Sequence, residues 1–289
     1  MIVMRIAVLG DFHYSRLVDA DDEARLARDL AMQKIFDAFF NEDADMYVSI
    51  GDLTHIGHPD EYRAVYTRIQ QYGKPFFHAL GNHDAYSLTK KEIISLTGQK
   101  RYQLIDTPSA RLIVLDTARE MNLPDWSGTI DEEQRRWLNA LLYADDPRPV
   151  IIFAHHPIYN TTARSTFDKL SIAPDEKIDE LLLNAPTMGV YVCGHNHIHS
   201  IAERQQWCFV QIAAAWDVPS YRLLTVHEQT ITIELKVIDD PTLDELIHRF
   251  HQKMDGFTPI PRIIAQGDKE TWHHTFDLTS VHSKMNTRM

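Results

Sequence analysis

Two cysteines in 289 residues, Cys193 and Cys208, leave no basis for a disulfide scaffold and suit a reducing cytoplasm. Positive charge is also scarce, with 29 Lys and Arg against 41 Asp and Glu and a net charge of −12. Binding of extended nucleic acid needs clustered Lys and Arg to neutralise phosphates, so no such partner is expected. No apolar run approaches the ~20 residues of a bilayer-spanning helix, and no membrane partner is expected. Met1 to Leu9 is apolar, but it is short, has no small-residue cleavage site and runs into Asp11. It reads as a first buried strand and not as a signal peptide. Internal repeats, low-complexity tracts and clear linkers are all missing.

What remains is ordinary globular composition, 44% hydrophobic and 24% charged, in a chain long enough to bury a sizeable core. Histidine is the exception, at sixteen residues. Ten of them (His13, His55, His58, His78, His83, His155, His156, His195, His197 and His199) fall near expected strand ends.

In chain order, Ile2 to Leu9 is a buried strand ending in Gly10-Asp11-Phe12-His13. Asp21 to Phe40 follows as a helix, with Asp21 or Asp22 as its N-cap. Ala44 to Ile50 is a strand ending in Gly51-Asp52. Pro59 to Tyr72 is a helix opened by proline and closed by Gly73. Pro75 to Leu80 is a strand ending in Gly81-Asn82-His83-Asp84. Tyr102 to Thr117 reads as a hairpin turning near residues 107–110, and Asp131 to Tyr143 as a helix. The strand Pro149 to Ala154 ends in His155-His156-Pro157. After a helix from Asp175 to Asn184, the strand Met188 to Cys193 ends in Gly194-His195-Asn196-His197. Trp207 to Ala213, Tyr221 to Val226 and Thr230 to Val237 read as consecutive antiparallel strands. Pro241 to Gln252 is a helix, and the remainder shows little periodicity. Residues 1–240 therefore form the expected main domain. Residues 241–289 are the natural place for a capping element or for a dimerisation element that would make the chain a homodimer.

Five polar clusters each close an apolar run, and open α/β sheets place ligand sites at the carboxyl ends of their strands. Asp11, Asp52 and the Asn82 carboxamide are hard oxygen donors, and His13, His155, His195 and His197 are imidazole donors. With no cysteine in the set, this mixture suits Mn, Fe, Zn, Ni or Co and not a structural thiolate site. Seven donors exceed one tetrahedral ion but suit two ions sharing a carboxylate. Two ions ~3.5–4 Å apart can clamp a phosphoryl group and generate hydroxide near neutral pH.

The ordered set Asp-x-His, Gly-Asp, Gly-Asn-His-Asp, His-x-Pro, Gly-His-x-His resembles the calcineurin-like metallophosphoesterase superfamily over residues 5 to about 200. The resemblance implies an α/β fold, a sandwich of two mixed β-sheets flanked by helices, with the site at the strand ends. It also implies two metal ions, divalent or mixed-valence. Asp11, His13 and His197 would hold one, and Asn82, His155 and His195 the other, with Asp52 bridging. A hydroxide between the ions would attack the phosphoester. His83 would face the scissile phosphate as charge stabiliser or proton donor, and Asp84 would orient its imidazole. His156 is left open between substrate contact and packing.

Departures from the family's patterns narrow the branch. His55 stands where purple acid phosphatases carry a tyrosine ligand, and His55-Ile56-Gly57 replaces the Asp-Arg-Gly of Ser/Thr protein phosphatases. Glu61-Tyr62, Leu115-Asp116-Thr117 and Gln134-Arg135-Arg136-Trp137-Leu138 resemble the cyclic-nucleotide and glycerophosphodiester phosphodiesterase branch. A cytoplasmic phosphodiesterase of a small phosphate ester is the expectation. A phosphomonoesterase or a nuclease of short substrates is the alternative on the same site. A metal-free scaffold is the alternative of another class, and the seven filled ligand positions count against it. Trp126 and Arg119, in the loop Ala118 to Ile130, are candidates for a wall of the substrate pocket. His58 and His199 are candidates for its rim; a plain surface loop and solvated histidines are the commoner readings of these four residues.

Overall fold

The computed structural model describes residues 3–279. Ile2 of the expected first strand and residues 280–289 of the expected tail lie outside that range.

The first half alternates strand and helix: β1 (Met4–Leu9), α1 (Asp22–Phe40), β2 (Met46–Ser49), α2 (Pro59–Gln71) and β3 (Phe76–His78). Asp21 caps α1 by accepting the Ala24 N–H at 2.8 Å. His58 and Glu61 form a reciprocal capping box on α2, with Pro59 opening the helix. Then come α3 (Lys90–Thr97), β4 (Gln103–Asp106), β5 (Arg111–Val114), α4 (Glu132–Leu142), β6 (Val150–Phe153), α5 (Ile178–Asn184) and β7 (Gly189–Cys193). The chain continues through β8 (Ser200–Arg204), β9 (Trp207–Gln211), β10 (Ser220–Val226), β11 (Thr230–Val237), α6 (Leu243–His251), α7 (Arg262–Ala265) and β12 (His273–Asp277).

Two mixed six-stranded sheets result, ordered β12-β11-β10-β1-β2-β3 and β4-β5-β6-β7-β9-β8. They face each other across an apolar layer that includes Ile6, Val8, Val48, Ile151, Phe153, Val190, Val192 and Leu224. Helices α1 and α2 cover the outer face of the first sheet, and α4 and α5 that of the second. This is the expected two-sheet sandwich. Strands β1, β2 and β3 run parallel, as do β5, β6, β7 and β9. Parallel neighbours point their carboxyl ends the same way, so the polar clusters after β1, β2, β3, β6 and β7 meet at one rim.

Two expectations fail for reasons of long-range pairing. Strand β9 is not the antiparallel neighbour of β10: it pairs parallel with β7 in the other sheet, and the chain changes sheets over residues 212–219. The stretch after α6 is also not featureless. Strand β12 pairs antiparallel with β11, although Phe276 is its one buried residue and it carries no alternating pattern. Helix α6 lies on α1, with Leu243, Ile247 and Phe250 in the same apolar cluster as Phe36 and Trp216. No helix among the described residues is long and apolar enough to cross a membrane.

Candidate metal centre

The seven expected donors converge. On one side His13 Nε2 lies 3.1 Å from His197 Nε2 and 3.6 Å from Asp52 Oδ2, and Asp11 Oδ1 lies 3.7 Å from His197 Nε2. On the other, His155 Nε2 lies 3.0 Å from Asn82 Oδ1, 3.1 Å from His195 Nδ1 and 3.2 Å from Asp52 Oδ2. Asp52 Oδ2 therefore faces both groups. Its other oxygen is engaged elsewhere, accepting the His83 backbone N–H at 2.8 Å.

Histidine tautomers decide what these short distances mean. His155 Nδ1 donates to the Ile50 carbonyl at 3.1 Å, and His195 Nε2 to the Lys169 carbonyl at 3.0 Å. His197 Nδ1 faces the Asp217 carboxylate at 3.4 Å. Each of these contacts places the ring's proton on the outward nitrogen, so the inward nitrogen presents a lone pair. Lone pairs 3.1 Å apart repel unless a cation lies between them. Donors ~2.1 Å from one transition-metal ion sit ~3.0–3.4 Å apart around it, which is the spacing of His13 from His197 and of His155 from Asn82, His195 and Asp52. Asp11 Oδ2 is fully buried with no hydrogen-bond partner among the described residues, and it suits a cation. Burial also pushes the Asp11 carboxyl up, the cost of holding an anion there uncompensated. Burial lowers His13 well below the ordinary imidazole range. Burial opposes charge on His155 too, but the Asp52 carboxylate overrides it and raises His155 to about 9, so its inward nitrogen holds a proton that a metal ion must displace. These residues fit metal ions.

The backbone is bent to bring the donors in. His13, Asp52, His195 and His197 have φ of 49°, 48°, 68° and 55°, left-handed values that cost ~1–3 kcal/mol apiece outside glycine. Gly81 and Gly194 are required by close approach. A Cβ at Gly81 would overlap Asp52 Oδ1, and one at Gly194 would overlap Asp11 Oδ2.

A model of the calcineurin-like phosphoesterase family matches residues 4–199. The chain belongs to that family. It therefore stands among metal-dependent phosphoester hydrolases. A Psychrobacter arcticus protein named "Probable cyclic nucleotide phosphodiesterase" is 23% identical over 210 residues, 67% of this chain and 74% of that one. An Arcobacter nitrofigilis protein named "Probable glycerophosphodiester phosphodiesterase GpdQ" is 25% identical over 158 residues. That match covers 53% of this chain and 56% of the relative, little more than half its length. Among solved structures, a dimetal phosphatase from Danio rerio superposes with a TM-score of 0.63 at 17% identity, covering 82% of this chain and 97% of that one. A purple acid phosphatase from yellow lupin gives 0.55 at 15% identity, covering 83% and 52%.

In this phosphoesterase a further carboxylate, Asp217, was invisible to sequence reasoning, because it follows Ala213-Ala214-Ala215-Trp216 in a loop without a motif. Burial would lower His197, but the Asp217 carboxylate beside its Nδ1 raises it instead. A carboxylate behind a ligating imidazole fixes its tautomer and ring plane, typically at ~10–100-fold in metal affinity or activity. Asp217→Asn is expected to weaken metal binding in that range, read by titrating metal into the metal-free protein. Unchanged affinity would remove Asp217 from the centre.

One expectation about a neighbouring residue needs correction, and the candidates for the pocket wall and rim divide. Asp84 makes no hydrogen bond to the His83 imidazole. It is buried and accepts from Thr54 N and Oγ1, Gly81 N, Leu53 N and His78 Nε2 at 2.8–3.3 Å, so it shapes the turn instead. His83 is oriented by the His55 carbonyl, which accepts from its Nδ1 at 2.5 Å. The carboxylate is held below its usual range: burial would raise it, and His78 overrides. His58 is spent on capping α2, and buried His199 on Ser220 and the Ala213 N–H, so neither reaches the rim. Arg119 turns back to Asp125 and Ser127, while Trp126 of the same loop does line the cleft.

His156, left open by the sequence, ties that loop down. Its ring bonds the Thr117 hydroxyl at 2.8 Å and the Trp126 carbonyl at 3.0 Å, which uses both nitrogens. Above the donors opens a cleft of about 580 Å³ lined by Asp52, His55, Ile56, Asn82, His83, Tyr86, Leu123, Trp126, Leu170, His195, His197, Asp255 and Gly256. Among the described residues, no lysine or arginine lines it. The segment after α6 supplies one edge. The Asp255 carbonyl accepts from His55 Nε2 at 2.7 Å, and the Phe257 ring lies 5.0 Å from His13 and 5.5 Å from His197.

Proposed function

We propose that this chain is a dinuclear phosphodiesterase acting on a small diester of the cyclic-nucleotide or glycerophosphodiester type. One observation carries the reading: two donor sets share Asp52 Oδ2 at the floor of a cleft whose lining holds no lysine or arginine. Asp11, His13 and His197 would hold one ion, Asn82, His155 and His195 the other, and Asp52 both. The donor types suit Mn, Fe, Zn, Co or Ni. When bound, the ions supply a nucleophile from water near neutral pH and neutralise charge on the phosphoryl group.

The chain's own residues do the rest. His83 has its Nδ1 proton committed to the His55 carbonyl, which leaves Nε2 to carry a proton toward the ester. Leu123, Trp126 and Leu170 form an apolar wall suited to one substituent of a diester. Asp255 to Phe257 support a capping role for the segment after α6, while α6 and β12 belong to the core and first sheet of the catalytic domain, which therefore extends past residue 240. Cys193 and Cys208 are free and buried, which supports a cytoplasmic location.

A monoester brings a second phosphate charge, and among the described residues no lysine or arginine lines this cleft to meet it. One missing charge-assisted bond costs ~1.5–3 kcal/mol, so kcat/KM should favour a diester over the matching monoester by about tenfold or more. Bis-p-nitrophenyl phosphate against p-nitrophenyl phosphate, with each metal added back to metal-free protein, reads this directly. A monoester preference under every metal moves the chain to the phosphomonoesterase alternative.

A further inference from the structure

We propose that Tyr86 donates a hydrogen bond to a non-bridging oxygen of the bound phosphoester, as a catalytic residue in a cleft without cationic side chains. The inference rests on the reading of Asn82 as a metal ligand.

The Asn82 carboxamide has two unlike ends. Its Oδ1 faces His155 Nε2 at 3.0 Å, among the metal donors, and its Nδ2 lies 2.6 Å from the Tyr86 hydroxyl. An amide nitrogen donates and never accepts, so the Tyr86 oxygen is the acceptor in that contact. The phenolic hydrogen is then unspent. Among the described residues, Asn82 is the one hydrogen-bond partner of that hydroxyl. The ring is half-buried, packs 4.8 Å from the His83 ring and lines the cleft beside Asp52, His83 and His195. Its hydroxyl is one amide's width from the atom that would touch metal, so a phosphoryl group on the ions lies within its reach.

The chemistry favours a neutral donor here. A phenol titrates near ~10 and keeps its proton at neutral pH. Accepting from Asn82 Nδ2 polarises the hydroxyl and makes it a stronger donor in turn. A donor already fixed where charge gathers in the transition state costs no reorganisation when the reaction occurs. An uncharged donor also suits the single charge of a diester and adds nothing specific to a dianion. Tyr86 thus supplies part of what an arginine supplies elsewhere, matched to the smaller charge.

The rival role is structural, with Tyr86 merely holding the Asn82 amide for its metal. Tyr86→Phe separates the two and removes a single oxygen from a half-exposed ring. Metal content, kcat and KM are to be measured with bis-p-nitrophenyl phosphate and with a diester of a poor alkyl leaving group, over a manganese titration. The proposal expects two retained ions and a ~10–100-fold fall in kcat/KM at saturating metal. The fall should be similar for both leaving groups, because a non-bridging oxygen is the acceptor. Turnover within about twofold of wild type at full occupancy overturns it, and so does a defect that excess manganese abolishes. If the wild-type protein binds two ions and hydrolyses no diester, the functional reading itself fails and this inference falls with it.

Discussion

Asp52→Asn is expected to lose bound metal and activity together. The carboxylate stands between the two donor sets, with Oδ2 at 3.2 Å from His155 Nε2 and 3.6 Å from His13 Nε2. Two divalent cations ~3.5–4 Å apart repel strongly, and a shared anion is what allows both to stay. Asparagine keeps the shape and could keep the bond from the His83 N–H, but it brings no charge. Metal content should fall from about two ions per chain to one or fewer, with turnover down by on the order of 10³ or more. Plasma mass spectrometry of the purified variant, beside its rate on bis-p-nitrophenyl phosphate, checks both. A variant that kept two tight ions and near-normal turnover would falsify the bridging role.

The same residue shows why so much of the site was legible. Asp52, like Asp11, Asn82, His155 and His195, closes a run of buried apolar residues. In a parallel sheet every such run ends at the same rim. Local pattern therefore implies long-range convergence, and the seven donors come together without one of them being displaced. Residues that approach from outside those strands escaped notice. Asp217 reaches His197 from the loop where the chain changes sheets, and Phe257 and Asp255 reach the cleft from beyond α6. Neither segment has a periodicity tying it to the rim. Strand β9 was misplaced for a related reason: an apolar run reports burial, not the sheet it joins. Asp84 illustrates the limit within a motif. Adjacent to His83 in sequence, it points the opposite way, into Thr54, Gly81 and His78, so neighbourhood in sequence is not contact here.

His83 should then behave as a proton donor and not as a ligand, although three imidazoles, His13, His55 and His83, lie close enough together to suggest a further metal position. Two of them have one nitrogen each committed, although His55 Nδ1 stays buried without a hydrogen-bond partner among the described residues. His55 Nε2 is taken by the Asp255 carbonyl, and His83 Nδ1 by the His55 carbonyl. That leaves His83 Nε2 on the cleft side, where the doubly protonated ring can donate to the ester; burial disfavours that charged form and lowers its pKa. His83→Ala should cut kcat by about 10²–10⁴-fold at full metal occupancy, the usual range for a general acid. Loss of a ligand is rescued at least in part by excess metal, whereas loss of a proton donor is not. The defect should shrink for a p-nitrophenyl ester, whose leaving group needs little protonation, and stay large for an alkyl ester. If His83 merely steadied charge on the phosphoryl oxygens, as assigned above to Tyr86, good and poor leaving groups would suffer alike. Crossing the two variants with the two substrates therefore separates the roles: leaving-group dependence for His83→Ala, none for Tyr86→Phe. Should His83→Ala lose its metals, or excess manganese restore it, the imidazole belongs in the coordination shell.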